Sequence, residues 1–123
     1  MLRCVVVSQL DALLRTIAIE APVAIACLWI ATRNDERRAP LWQMVLVVIG
    51  CSFITHPLAW WCNRGLVDQF TFATRATIIE AAVVVVEAVI LRGGLLVRWP
   101  IAIVTSTVMN MASFGFGLWL ASR

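Results

Sequence analysis

The stretch LWQMVLVVIGCSFITHPLAWWC, residues 41–62, decides the fold class of this chain. It runs for 22 residues without an Asp, Glu, Lys or Arg, and tryptophans stand near both of its ends. A helix needs about 20 apolar residues to cross a bilayer, and the amphipathic indole ring favours the membrane interface. The stretch is therefore predicted to be a transmembrane helix.

Three further apolar stretches of similar length accompany it. The four predicted spans cover residues 10–32, 41–62, 70–91 and 99–120. Backbone amides in lipid must be satisfied within each segment, and short links make successive helices antiparallel neighbours. We therefore expect one all-α domain over residues 1–123, an integral-membrane up-down four-helix bundle whose surroundings are the lipid bilayer.

Composition excludes several classes of protein. The 123 residues are 62% hydrophobic and 14% charged, with a mean hydropathy of +0.92, whereas soluble domains carry about 25% charged residues. The ten basic residues are all Arg and form no stripe, so no nucleic-acid partner is predicted. The sequence also lacks a nucleophile with a paired base and a phosphate-binding glycine loop, so we do not expect an enzyme.

The cysteines predict neither a disulfide framework nor a zinc site. They have no C-x-x-C spacing, and at least two fall within apolar runs, where a thiol behaves as a small hydrophobe. The four positions are Cys4, Cys27, Cys51 and Cys62.

Arginines give the predicted orientation in a bacterial inner membrane. The first and third connections contain Arg33, Arg37, Arg38, Arg92 and Arg98. The opposite side contains Arg3, Arg64 and Arg123, together with Arg15 and Arg75 if these reach the surface. The positive-inside rule then places the termini on the external side. The excess is small enough to be compatible with dual insertion and an antiparallel dimer.

A shift of sixty positions reveals a candidate internal repeat. It aligns RTIAIEAPV, residues 15–23, with RATIIEAAV, residues 75–83. Arg and Glu both coincide. A charge at the bilayer centre costs at least about 2.5 to 3.5 kcal/mol, so charged residues are rare in spans and their coincidence is informative. Duplication would give two similar hairpins related by a pseudo-twofold axis along the bilayer normal, and coincidence is the alternative.

Polar residues within the spans form the candidate site. At a rise of 1.5 Å per residue they fall into layers, with two arginines and the histidine outermost and Glu87 deepest. Because exposing such groups to lipid costs free energy, they should face one another or a water-filled cavity. The set is Arg15, Glu20, His56, Arg75, Glu80, Glu87 and Asn110.

Small and polar residues also mark one face of the fourth span. Ser106, Asn110, Ser113 and Gly117 have the spacing of a helix-packing surface, which allows close approach and hydrogen bonds between helices. Pro22 and Pro57 lie inside spans, close to the polar groups, and each is expected to bend its helix.

Three interpretations of the polar set remain open. Arg15 and Arg75 could clamp Glu20 and Glu80 as a buried ion-pair network. Alternatively, one or more carboxylates takes up a proton or a cation during transport, with Glu87 expected to be neutral because no basic partner lies at its depth. The third interpretation is that the set binds a metal, or a pigment or quinone near His56. A single His is a weak ligand signal, so no cofactor is assigned.

One pattern touches all four spans: Glu-x-Pro-Val at 20–23, Thr-His-Pro at 55–57, Glu80 with Glu87 seven residues later, and Asn-x-x-Ser-x-x-x-Gly at 110–117. It resembles small four-span bacterial inner-membrane proteins without an assigned activity. Glu20 is similar to the first-helix Glu of small multidrug exporters, although those exporters do not repeat it on the third helix. Residues 107–115 look like the Asn-x-x-Gly-Ser-Phe stretch of small fluoride channels, which are also four-span proteins.

The sequence leaves two functions to be separated. The first is a small transporter or channel for a proton, small ion or small solute that uses the polar set. The second is a non-catalytic accessory or assembly subunit of a larger membrane complex. Both allow a homo-oligomer or other membrane subunits as partners.

Overall fold

The computed structural model describes residues 8–123 as four α-helices, with no strand in that range. Each helix packs against two neighbours in the cyclic order α1, α2, α3, α4, so that α1 lies diagonally opposite α3. The predicted up-down four-helix bundle is thus confirmed. The helices are α1 (Gln9–Ala31), α2 (Leu41–Gly65), α3 (Phe72–Leu95) and α4 (Trp99–Ala121). Arg3 and Cys4 lie outside the described residues.

Three of the helices are long and apolar enough to cross a membrane, namely α1, α2 and α4. Their presence suggests a membrane protein. The third helix is equally long but is less uniformly apolar, because Arg75, Glu80, Glu87 and Arg92 all lie within it. Its length matches its neighbours, and two of these charges are the carboxyl groups of the candidate site.

Local signals explain where the helices begin. The Ser8 hydroxyl accepts a hydrogen bond from the Asp11 amide at 3.1 Å and caps α1. Thr71 caps α3 in the same manner, accepting from the amide of Thr74 at 3.4 Å. Pro100 occupies the first turn of α4, where its missing N–H would have had no partner in the helix.

The end of α3 differs from expectation. Gly93 and Gly94 were predicted to form a connection, but both belong to the helix, which ends only at Leu95. A Cβ at Gly94 would lie 2.9 Å from both methyl groups of Val47. The side-chain amide of Gln43 also donates a hydrogen bond to the Gly94 carbonyl at 2.8 Å. Gly94 therefore permits close contact between α2 and α3. The turn is made at Leu96, whose φ is 55°.

A tight apolar core fills the bundle from its middle to the end that carries the first and third connections. We call this the packed half. Arg38 closes its outer edge by stacking 4.0 Å above the ring centroid of Trp29. The core residues come from all four helices and the third connection: Ala24, Leu28, Met44, Val48, Cys51, Ala88, Leu91, Leu95, Val97, Ala102 and Met109.

Candidate functional site

A cavity of about 400 Å³ lies between the four helices in the other half of the bundle, where α1 begins and α4 ends. We call this the open half. Small residues on three helices, Ala59, Ala76, Gly117 and Ala121, line it and leave its volume unfilled. Its polar wall contains Thr16, Glu20, Thr55, His56, Asn63, Glu80, Asn110 and Ser113.

Glu20 lies at the inner end of this cavity and is 2% exposed. Its two carboxyl oxygens have different partners. The Ser52 hydroxyl of α2 donates to Oε2 at 2.8 Å, and the Ser113 hydroxyl of α4 donates to Oε1 at 2.7 Å. A single carboxyl group on α1 thereby joins both neighbouring helices.

Glu87 is completely buried and joins the same two helices from α3. The Thr55 hydroxyl lies 2.8 Å from its Oε1, and the Asn110 amide donates to its Oε2. The Ser106 hydroxyl lies 3.3 Å from the same Oε2. Because Thr55 and Asn110 line the cavity, Glu87 sits directly behind the cavity wall.

The two bridging carboxyl groups form a nearly twofold pattern. Glu20 and Glu87 come from opposite helices, and each bonds to both α2 and α4. Their partners repeat as well: Ser52 and Asn110 are 58 residues apart, and so are Thr55 and Ser113. An axis along the bundle would produce this arrangement. Glu80, which matches Glu20 in the sixty-residue shift, instead stands on the cavity wall.

The structure does not bring the arginines to these carboxyl groups. Arg75 donates from Nε to the Asn63 side-chain oxygen at 2.6 Å, and its guanidinium lies 5.8 Å from the ring centroid of Phe72. Arg15 is exposed. The clamp considered from the sequence is therefore replaced at Glu20 by two serines, and none of the arginines in residues 8–123 pairs with this carboxyl group.

Two side chains of the cavity wall, His56 and Glu80, have polar atoms without a hydrogen-bond partner among the residues that the structure describes, unlike the bridging carboxyl groups. The Nε2 atom of His56 is buried and has no hydrogen-bond partner in the described chain. Glu80 is half-buried, and within residues 8–123 no side-chain hydrogen bond reaches it. Asn110, expected at the level of Glu80, bonds to the deeper Glu87 instead.

The packing face of α4 has two different uses. Ser106 and Ser113 are bonded to the bridging carboxyl groups, and the Ser106 hydroxyl also lies 2.9 Å from the carbonyl of Val84 on α3. A Cβ added to Gly117 would meet no atom within 4 Å, so this glycine faces free space in the cavity. Close helix approach occurs at Gly94.

Sequence reasoning missed two partners of the carboxyl groups, Ser52 and Thr55. A usable signal was present, because the two hydroxyls are three residues apart and so share one face of an otherwise apolar helix. A hydroxyl pair in such a helix must bond to its own backbone or to a neighbour. Recognising this would have linked α2 to the carboxyl groups.

No group of three or more His, Cys, Asp or Glu within residues 8–123 is arranged to hold a metal ion. Comparison of the chain with protein-family models, with curated proteins and with solved structures gives no match. Function must therefore be inferred from the cavity and the buried carboxyl groups themselves.

Proposed function

We propose that this protein is a small, non-enzymatic membrane transporter that moves a proton together with a small ion or solute. In this proposal Glu20 and Glu87 carry the proton at the inner end of the cavity. One observation carries it: two buried carboxyl groups share a network of uncharged donors beside a polar cavity.

The first reason is the charge of the network. It contains two carboxyl groups, and their partners are hydroxyls and an amide. A charge at the bilayer centre costs at least about 2.5 to 3.5 kcal/mol, and two carboxylates in one site repel each other. We therefore expect the pair to hold at least one proton.

The second reason is that the network accepts either state of Glu87. The Thr55 hydroxyl lies 2.8 Å from Glu87 Oε1 and 2.9 Å from the Cys51 carbonyl, and it has one proton to donate. When Glu87 is ionised, Thr55 donates to it. When Glu87 is protonated, the carboxyl donates to Thr55, which then donates to Cys51. Protonation thus requires only rotation of a hydroxyl.

Glu20 has a similar arrangement. The Ser113 hydroxyl lies 2.7 Å from Glu20 Oε1 and 3.1 Å from the Asn110 carbonyl, so it can donate to either oxygen. Both carboxyl groups therefore keep their hydrogen bonds whether they are charged or neutral. This property suits groups that gain and lose a proton repeatedly.

The third reason is one-sided access. Glu20 lines the cavity of the open half, whereas the fully buried side chains of Leu28, Met44 and Leu91 fill the bundle beyond it. A continuous pore would need an opening through this packed half. One-sided access favours a carrier that changes conformation over a channel.

The proposed location is the bacterial inner membrane, with the cavity open to the external side. The excess of arginines in the first and third connections favours this orientation. We also propose that copies of the chain assemble as a homo-oligomer, because four helices enclose little volume for a complete pathway and a dimer would double the site.

The test is proton flux in liposomes that contain the purified protein and an internal pH-sensitive dye, driven in turn by gradients of an alkali cation, a halide and a small organic cation as the co-transported species. Glu87→Gln should reduce flux about tenfold or more, because the amide cannot carry the proton. Glu36→Gln is the matched control, since Glu36 is exposed in the first connection. Thr55→Ser keeps the hydroxyl that bonds to Glu87 and should retain flux, whereas Thr55→Val removes it and should lose flux.

Infrared spectroscopy provides a second measurement. A pH titration should show the carbonyl stretch of a protonated carboxyl group, and Glu87→Gln should remove part of it. Wild-type liposomes without proton flux under any of the three gradients would contradict the transporter. If the Glu87 variant instead weakened co-purification with larger membrane subunits, the accessory-subunit function would be supported.

A further inference from the structure

We propose that the cavity binds a small organic amine in its ammonium form, with N–H groups donated to Glu80 and His56. The apolar body of the amine would lie against the aromatic side chains of Trp60, Phe72 and Phe114, which also line the cavity. This inference deepens the proposed function by naming the class of solute, and it rests on that function in taking the cavity as the solute site.

The first argument is the charge of the lining. The titratable side chains facing the cavity are Glu20 on α1, His56 on α2 and Glu80 on α3, and within the described residues α4 adds none. Arg75, at the rim, is held by Asn63. A cavity lined by carboxyl groups without a lining guanidinium attracts cations.

The acceptor atoms of the cavity wall differ in whether they are already hydrogen-bonded. Both oxygens of Glu20 already accept bonds from serines, so a ligand would have to break them. His56 Nε2 is buried without a partner, and Glu80 receives no side-chain hydrogen bond in residues 8–123. Buried polar atoms are normally satisfied, so an unpartnered nitrogen on a residue that lines the cavity indicates a missing partner, and with the ring proton on Nδ1 that partner is a donor.

The third argument is the kind of donor these acceptors require. Glu80 and His56 lie on neighbouring helices, α3 and α2, and line the same cavity. A neutral imidazole accepts at one nitrogen, and a carboxylate accepts only. A primary ammonium carries three N–H donors on one atom and can serve both acceptors. A quaternary ammonium has the charge but no donor.

The fourth argument concerns the rest of the ligand. Ligand cavities range from about 300 to 1,000 Å³, so a volume of about 400 Å³ suits a small molecule with one ring system. Trp60, Phe72 and Phe114 offer apolar contact and ring faces that also attract a cation. An amine with an aromatic body matches both parts of the lining.

Isothermal titration calorimetry on the purified full chain at pH 8 tests this directly. Three probes with the same indole-ethyl body separate the contributions: tryptamine, its bulkier N,N,N-trimethyl derivative, and the neutral alcohol tryptophol, which is similar to tryptamine in size. Tryptamine should bind about tenfold more tightly than either analogue, because only tryptamine combines charge with N–H donors. Equal affinity for the trimethyl derivative would overturn the proposal.

Variants then assign the acceptors. Glu80→Gln and His56→Phe should each weaken tryptamine binding about tenfold, whereas His56→Gln, which retains an acceptor, should weaken it less. Glu36→Gln should change nothing, and circular dichroism verifies the fold of each variant. Unchanged affinity in folded Glu80→Gln and His56→Phe would overturn the proposal.

The result also separates this inference from the proposed function. Proton flux without tryptamine binding would overturn the amine site and leave the transporter. Binding with the expected dependence on Glu80 and His56, in a protein that moves no proton, would support the amine site and contradict the transporter.

Discussion

The packed half and the open half are built from the same four helices but differ in their interior side chains. The packed half contains large apolar residues such as Leu28 and Leu91, both fully buried. In the open half, Ala59, Ala76 and Gly117 line the interior and leave a cavity. An apolar composition thus gives the four helices, whereas the fit between the inward-facing side chains decides whether the bundle is filled.

The bridging carboxyl groups lie at the boundary between the halves. Glu87 belongs to the packed side, being fully buried beside the core residues Ala88 and Leu91, whereas Glu20 faces the cavity. The packed half holds the network in place, and in the open half the network borders the cavity. A polar network needs both properties if it is to exchange a proton reversibly.

The largest expected effect comes from making a hole in the packed half. Leu91→Ala should lower the free energy of unfolding by about 2 kcal/mol, the lower end for a core Leu, because lipid reduces the hydrophobic share of the loss. Leu118→Ala in the cavity wall, where Leu118 is 48% exposed, should cost well under half as much. Reversible unfolding in mild detergent measures both. Equal losses would show that the two halves are equally packed.

A smaller effect should come from adding a methyl group at one glycine in each half. Gly94→Ala forces its Cβ against Val47 and should cost about 1 to 2 kcal/mol. Gly117→Ala meets open space and should be neutral or slightly stabilising, because Ala favours the helix. Thermal unfolding of the two variants compares them directly. A loss at Gly117 as large as at Gly94 would contradict the open half.

Much of the fold could be predicted from the sequence. Hydropathy located four helices, and their starts lie within two residues of the predicted positions. The end of α3 was wrong because Gly93 and Gly94 suggest a turn, whereas Gly94 serves a contact with Val47. A sequence does not distinguish a glycine that bends the chain from one that admits a neighbour.

The candidate site could be predicted in its members but not in its bonds. The cost of charge in lipid places Glu20, Glu80 and Glu87 inside the bundle. Their partners depend on the rotation and axial shift of each helix, and the seven residues between Glu80 and Glu87, about two turns, separate the alternative partners of Asn110. Arg75 differs for another reason: α3 begins only three residues before it, so the side chain lies at the rim and bonds to Asn63. The functional roles of these residues stay predictions.

The smallest expected effect concerns the rim of the open half, where the Asn63 side chain holds Arg75 at 2.6 Å and joins the end of α2 to the start of α3. Asn63→Ala should cost only about 0.5 to 1 kcal/mol, because the released guanidinium is solvated by water or lipid head groups. Hydrogen exchange should accelerate in the rim segments 60–65 and 72–78 and stay unchanged around Leu91.

Arg38→Ala is the matched control, since it removes the stack on Trp29 at the opposite end and should leave exchange in those rim segments unaltered. Faster exchange around Leu91 in the Asn63 variant would mean that the bundle opens as one cooperative unit. The open half could not then rearrange around a solute while the packed half stays closed. Exchange confined to the rim would show that the open half has an element able to move by itself, which the proposed carrier requires if Glu20 and Glu87 are reached from one side.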